Sequence, residues 1–61
     1  MKPKLKLVGA DGNAFALLGL AHRAAKKAGW SQEQWNAVQT DAMAGDYDNL
    51  LRVLMSHFEV S

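Results

Sequence analysis

Few residues in this sequence have types and spacing that point to chemistry. There is no cysteine, and the only histidines, His22 and His57, lie far apart, so a metal site built on nitrogen or sulfur ligands has too few members. Asp11 and Asn13 have the spacing that opens a calcium loop. The next acidic residue, Glu33, falls well outside a ligand span of roughly 12 residues. Asp46 and Asp48 form a close carboxylate pair, but general acid/base work needs a third group beside the reacting atom, and the sequence places none there. Ser31, Ser56 and Ser61 have no accompanying base to activate a hydroxyl.

The stretch Gly9-Ala10-Asp11-Gly12-Asn13 follows a strand-like segment and opens a helix, the place where free backbone amides bind phosphate or carboxylate. It lacks the Gly-Lys-Ser/Thr of a phosphate loop and has only two glycines of a dinucleotide fingerprint, and Asp11 would repel an anion. A turn followed by a helix cap explains it. No catalytic, cofactor-binding or metal-ligating residue is therefore expected, and an enzyme is not the expected class.

Surfaces for partners are the better-grounded signal. His22, Arg23, Lys26 and Lys27 share the outer arc of the first helix, and Lys2, Lys4 and Lys6 precede it, so a basic patch for nucleic acid or an acidic protein is one reading. The net charge is only +1, no aromatic residue interleaves the patch for base stacking, and the second helix of a helix-turn-helix arrangement would carry no positive charge. The other reading is a protein-contact or self-association surface. Leu17, Gly19 and Leu20 make one side of the first helix slim and leucine-bearing, and a glycine inside a helix costs about 0.5–1 kcal/mol against alanine, so a neighbour is expected to approach there. A core position is equally open to Leu17.

These residues are carried by short elements. Lys4-Leu5-Lys6-Leu7-Val8 alternates and reads as a strand with its leucines inward and its lysines in water, where they also discourage edge pairing. Asn13 caps a helix over residues 14–28 whose inward stripe is Phe15, Leu18, Ala21, Ala25 and Ala28, widened by Leu17 and Ala24. Gly29 ends it, and Lys26 and Lys27 suit its negative end. Ser31-Gln32-Glu33-Gln34 is a capping box, with Trp30 and Trp35 placed as a staple around it. The second helix then reaches about Ala44 with Trp35, Val38, Ala42 and Met43 inward, and Gly45 stops it. Asp46 caps a third helix from Tyr47 to His57 with Tyr47, Leu50, Leu51, Leu54 and Phe58 inward. Phe58-Glu59-Val60 alternates and suits a second strand beside the first.

The expected class is thus mainly α, a small α+β domain of three short helices with a short N-terminal strand that a short C-terminal strand can join. Its 61 residues leave room for one domain. A chain this size buries only about 60% of its unfolded surface, so tight packing or self-association must support it. The 49% hydrophobic and 21% charged composition argues against disorder, and the longest apolar run, Ala14 to Ala21, is far short of the ~20 residues that span a membrane. No signal-peptide pattern follows the basic start, and a cytoplasmic protein is expected.

Asp11-Gly12-Asn13-Ala14-Phe15, then Leu18-Gly19, Ala28-Gly29 and Gly45-Asp46-Tyr47-Asp48-Asn49-Leu50-Leu51, resemble a family of small proteins of bacteria, their phages and plasmids that begin with a Lys/Leu/Val strand. The likeness covers nearly the whole chain. It implies a prokaryotic, mobile-element-associated origin and brings no activity or site residues with it. Ala21 and His22 depart from the more basic helix of that family, which weighs further against nucleic acid. The function expected is that of a non-enzymatic accessory protein binding a host protein or itself, with a nucleic-acid-binding domain as the alternative.

Overall fold

A computed structural model of the chain describes residues 2–7, 9 and 12–61. Val8 at the end of the expected first strand, and Ala10 and Asp11 in the turn after it, lie outside the described residues. The elements run β1 (Lys4–Leu5), α1 (Ala14–Lys27), α2 (Gln32–Met43), α3 (Tyr47–His57) and β2 (Glu59–Val60). This is a mainly α, small α+β arrangement.

Each helix starts where a side chain satisfies its free amides. Asn13 Oδ1 accepts from the Phe15 amide at 2.8 Å, and Asp46 Oδ1 accepts from the Asn49 amide at 3.0 Å. Ser31 Oγ accepts from the Gln34 amide at 3.1 Å while the Ser31 amide donates to Gln34 Oε1 at 2.8 Å, which completes the capping box. At the end of α1, Gly29 takes φ 86°. The Trp30 amide reaches back to the Ala25 carbonyl at 3.0 Å and the Gly29 amide to Lys26 at 3.1 Å. That pair of bonds is a Schellman stop, which requires a residue tolerant of positive φ.

The end of α2 is built differently from the expected glycine stop. Gly45 has no positive φ. A Cβ there would lie 2.9 Å from Asn49 Cβ, so the glycine makes room for Asn49. Asn49 Nδ2 in turn donates at 2.8 Å to the Asp41 carbonyl in the last turn of α2, which also accepts from the Ala44 amide at 3.3 Å. One asparagine thereby ties the start of α3 to the end of α2.

The strands pair in parallel, Lys4 with Glu59 and Leu5 with Val60. Parallel neighbours need a long crossover, and here all three helices supply it. The ladder extends past the strand ends: the Glu59 amide donates to Pro3 O at 2.8 Å, Ser61 to Leu5 O at 3.0 Å, and Leu7 to Ser61 O at 2.8 Å.

The core gathers Leu17, Leu18, Ala21 and Ala25 of α1 with Trp35, Val38 and Ala42 of α2. Leu50 and Leu54 of α3, Leu5 of β1 and Phe58 complete it, and Phe58 and Leu54 are its largest fully buried side chains. Ala21 and Ala25 are wholly buried; with no side chain beyond Cβ, they let neighbouring elements approach α1 closely. The expected inward stripe is corrected at several places. Phe15 is 74% exposed, Tyr47 43% and Met43 53%, and Ala28 is exposed. Phe15 and Tyr47 stand in the first turns of α1 and α3, and Met43 and Ala28 at the far ends of α2 and α1. A helix end has covering neighbours on fewer sides than its middle, so helical spacing alone overstates burial there.

Candidate functional site

The leucine-bearing side of α1 is not a free surface. Leu17 is buried and belongs to the core, and Leu20 is half-buried against it. Gly19 is exposed, and a Cβ built on it would meet nothing within 4 Å. The expected neighbour at Gly19 is therefore absent among the described residues, and Leu17, Gly19 and Leu20 do not form one docking patch. The face turned out to be split because Leu17 rolls inward beside Leu18 while Leu20 points to the flank next to β1.

The exposed apolar side chains gather elsewhere. Phe15, Met43 and Tyr47 line a hollow of about 230 Å³ where the start of α1 meets the joint between α2 and α3. Its floor is Ala14, Leu18, Ala42 and Leu50, and Asp46 stands at its rim. The Tyr47 hydroxyl donates to the Gly12 carbonyl at 2.7 Å, which fixes the ring across the hollow's edge and pins the segment leading into α1. The sequence carries a signal for this exposure: Phe15 and Tyr47 each follow a cap by one or two residues, and such positions lie at the periphery.

The expected basic patch divides in two. His22 lies on the flank facing α2, where its ring stacks flat on Trp35 at a centroid distance of 4.8 Å and an interplanar angle of 6°. It lines a small cleft with Lys26, Trp30 and Gln32. His22 Nε2 is buried with no hydrogen-bond partner among the described residues, so this ring acts as a packing surface rather than as part of a solvated basic arc. Trp30 stacks on Phe58 at 5.0 Å and meets the His57 ring edge-on at 6.3 Å. The two tryptophans expected to staple the capping box thus find their ring partners in His22 and Phe58.

Arg23 and Lys27 lie on the opposite flank, facing β1. There Lys4 and Lys6 join them along a groove of about 230 Å³ with Leu5, Leu20 and Ala24 between the cations. The groove continues past Pro3 and Ala28. None of the described residues lining either stretch is acidic. Glu59 is the register partner of Lys4, on the β2 side. The charge is unevenly laid out along the chain: six of the seven cations fall within the first 27 residues and five of the six acids after them.

Among the described residues no group of three or more His, Cys, Asp or Glu side chains is placed to hold a metal ion, and no helix is long and apolar enough to cross a membrane. No family model, no curated protein and no solved structure matches the chain.

Proposed function

We propose that this protein is a non-enzymatic interaction module that docks a protein partner, or a second copy of itself, through the Phe15/Met43/Tyr47 hollow. The observation that carries this reading is the clustering. Single apolar side chains on a surface are ordinary, but among the described residues three of the four large exposed ones surround one hollow. Aromatic and methionine side chains of this kind supply the anchors of protein interfaces, and methionine adapts its shape to a partner. The resemblance of the sequence to small phage and plasmid proteins is what supports a role among accessory factors of mobile elements. Met43→Asp tests it, since Met43 is 53% exposed and its replacement leaves the core intact. The expected outcome is a wild-type complex or oligomer, seen by light scattering or in pull-down with a host protein, that is lost in the variant while the circular dichroism spectrum is unchanged. A strictly monomeric, partnerless wild type, or full association by the variant, overturns the reading.

A second reading has its own observation. Lys4, Lys6, Arg23 and Lys27 come together along the β1–α1 groove although they are spread through the first half of the sequence. This favours an anionic partner on that face, nucleic acid included. Phosphate-backbone binding weakens steeply with salt. No binding of any polyanion at about 50 mM salt would remove the reading.

A further inference from the structure

Resting on the second reading, that the basic face meets an anionic partner, we infer that the partner is an extended acidic segment of a protein, added to β1 as a third strand in the β1–α1 groove. Three observations converge on this. The first is the main chain of β1. Pro3 and Leu5 accept from β2 and Leu7 donates to it, so the odd-numbered residues face β2. Successive residues of a strand turn their N–H and C=O groups to opposite edges. Lys4 and Lys6 therefore present theirs to the outer edge, and among the described residues these groups have no backbone partner.

The second is the shape beside that edge. The groove runs along β1 with Leu20 and Ala24 of α1 on its other bank. In a strand laid there, alternate side chains would face α1, where Leu20 and Ala24 accept small apolar groups. The others would face outward beside the lysine side chains.

The third is charge. Lys4 and Lys6 are exposed on the outer side of β1, and Arg23 and Lys27 stand on α1, with no acid among the described residues that line the groove between them. Lysines on an exposed edge are a common guard against aggregation. That guard does not call for two further cations on a helix across the groove. A segment alternating acidic and small apolar residues complements Lys4-Leu5-Lys6-Leu7 position by position, with main-chain bonds supplying affinity and the side chains supplying specificity. A nucleic acid would leave the strand edge and the apolar bank unused, and no aromatic side chain lines the groove for its bases to stack on. A second copy of this chain is a poorer fit: among the described residues Glu33, Asp41 and Asp48 lie in helices, Asp46 in a helix cap, and Glu59, the one acid in a strand, is already the register partner of Lys4.

The test uses the full chain and a short synthetic peptide alternating aspartate and valine, its twin carrying N-methyl groups on the amides that would face β1, and a single-stranded oligonucleotide. Binding and amide exchange are read by NMR. The expected result is slowed exchange of the Lys4 and Lys6 amides with the first peptide, and binding about tenfold weaker for Arg23→Glu and for the methylated twin. Equal binding of the two peptides overturns strand addition and leaves the anionic-partner reading standing. Tighter binding of the oligonucleotide, with the Lys4 and Lys6 amides unprotected, overturns it in favour of nucleic acid. Failure of all three ligands at low salt overturns the inference and the reading beneath it together.

Discussion

The hollow at the α2–α3 joint and the groove between β1 and α1 are similar in volume and lie on one small domain, yet they are made by opposite means. The hollow is apolar, built from bulky side chains left uncovered at helix ends, and its geometry is set by caps: Asp46, Asn49 and the Tyr47–Gly12 hydrogen bond. The groove is lined by long cationic side chains and a strand edge, and its geometry is set by pairing between residues remote in sequence. The difference teaches that exposure has two sources in a domain too small to cover itself. Helices leave their ends bare, and a two-stranded sheet leaves its edges bare.

If both faces hang on one core, removing its centre should erase both. Leu54 is wholly buried, and Leu54→Ala is expected to cost about 2–5 kcal/mol, read by urea denaturation. In a domain with so thin a margin this leaves little folded protein. A cost under about 1 kcal/mol would mean that the faces do not share that support.

A subtler change should separate them. Gly45→Ala puts a Cβ within 2.9 Å of Asn49 Cβ and drives Asn49 from the Asp41 carbonyl. A loss of about 1–3 kcal/mol is expected from such overpacking. NMR shifts should concentrate around the hollow and leave the Lys4 and Lys6 amides in place. Shifts spread evenly over both faces would show that the joint and the groove are mechanically one unit.

The smallest expected effect has the opposite sign. Gly19→Ala meets no neighbour within 4 Å and improves helix propensity, so it should stabilise by about 0.5–1 kcal/mol in the same denaturation experiment, with neither face altered. Destabilisation would reveal a contact at Gly19 and restore that side of α1 as a surface with a purpose.

What could be read in the sequence and what could not follow one physical division. Caps are local: Asn13, Ser31 and Asp46 each act on an amide two or three residues away, so the sequence displays donor and acceptor together. The helix boundaries and the third helix in particular, Tyr47 to His57, follow from them. Gly29 was legible for the same reason, its bonds reaching back only three to five residues. The role of Gly45 was not, although Asn49 stands only four residues on, because whether the two crowd each other depends on how the chain turns from α2 into α3. The direction of strand pairing was equally hidden, since the alternation of Phe58-Glu59-Val60 is the same whichever way the strand runs. The two candidate surfaces needed the angle at which α1 sits on its neighbours. A modest turn about its axis decides whether Leu17 or Phe15 is covered, and whether Lys27 meets a lysine of β1 or only water.

The parallel pairing of Lys4 with Glu59 has a consequence for time as well as shape. Helices close through neighbours four residues apart, whereas this pairing closes a loop over nearly the entire chain, which costs the most conformational entropy. The sheet is therefore expected to assemble last and open first, which hydrogen exchange tests: Leu7, Glu59 and Ser61 should exchange faster than the buried helical turns around Leu54. A ligand strand laid along β1 would bind only the closed form. Its occupancy would lengthen the lifetime of the closed chain, and fresh copies would be open to capture or proteolysis until that final step is complete.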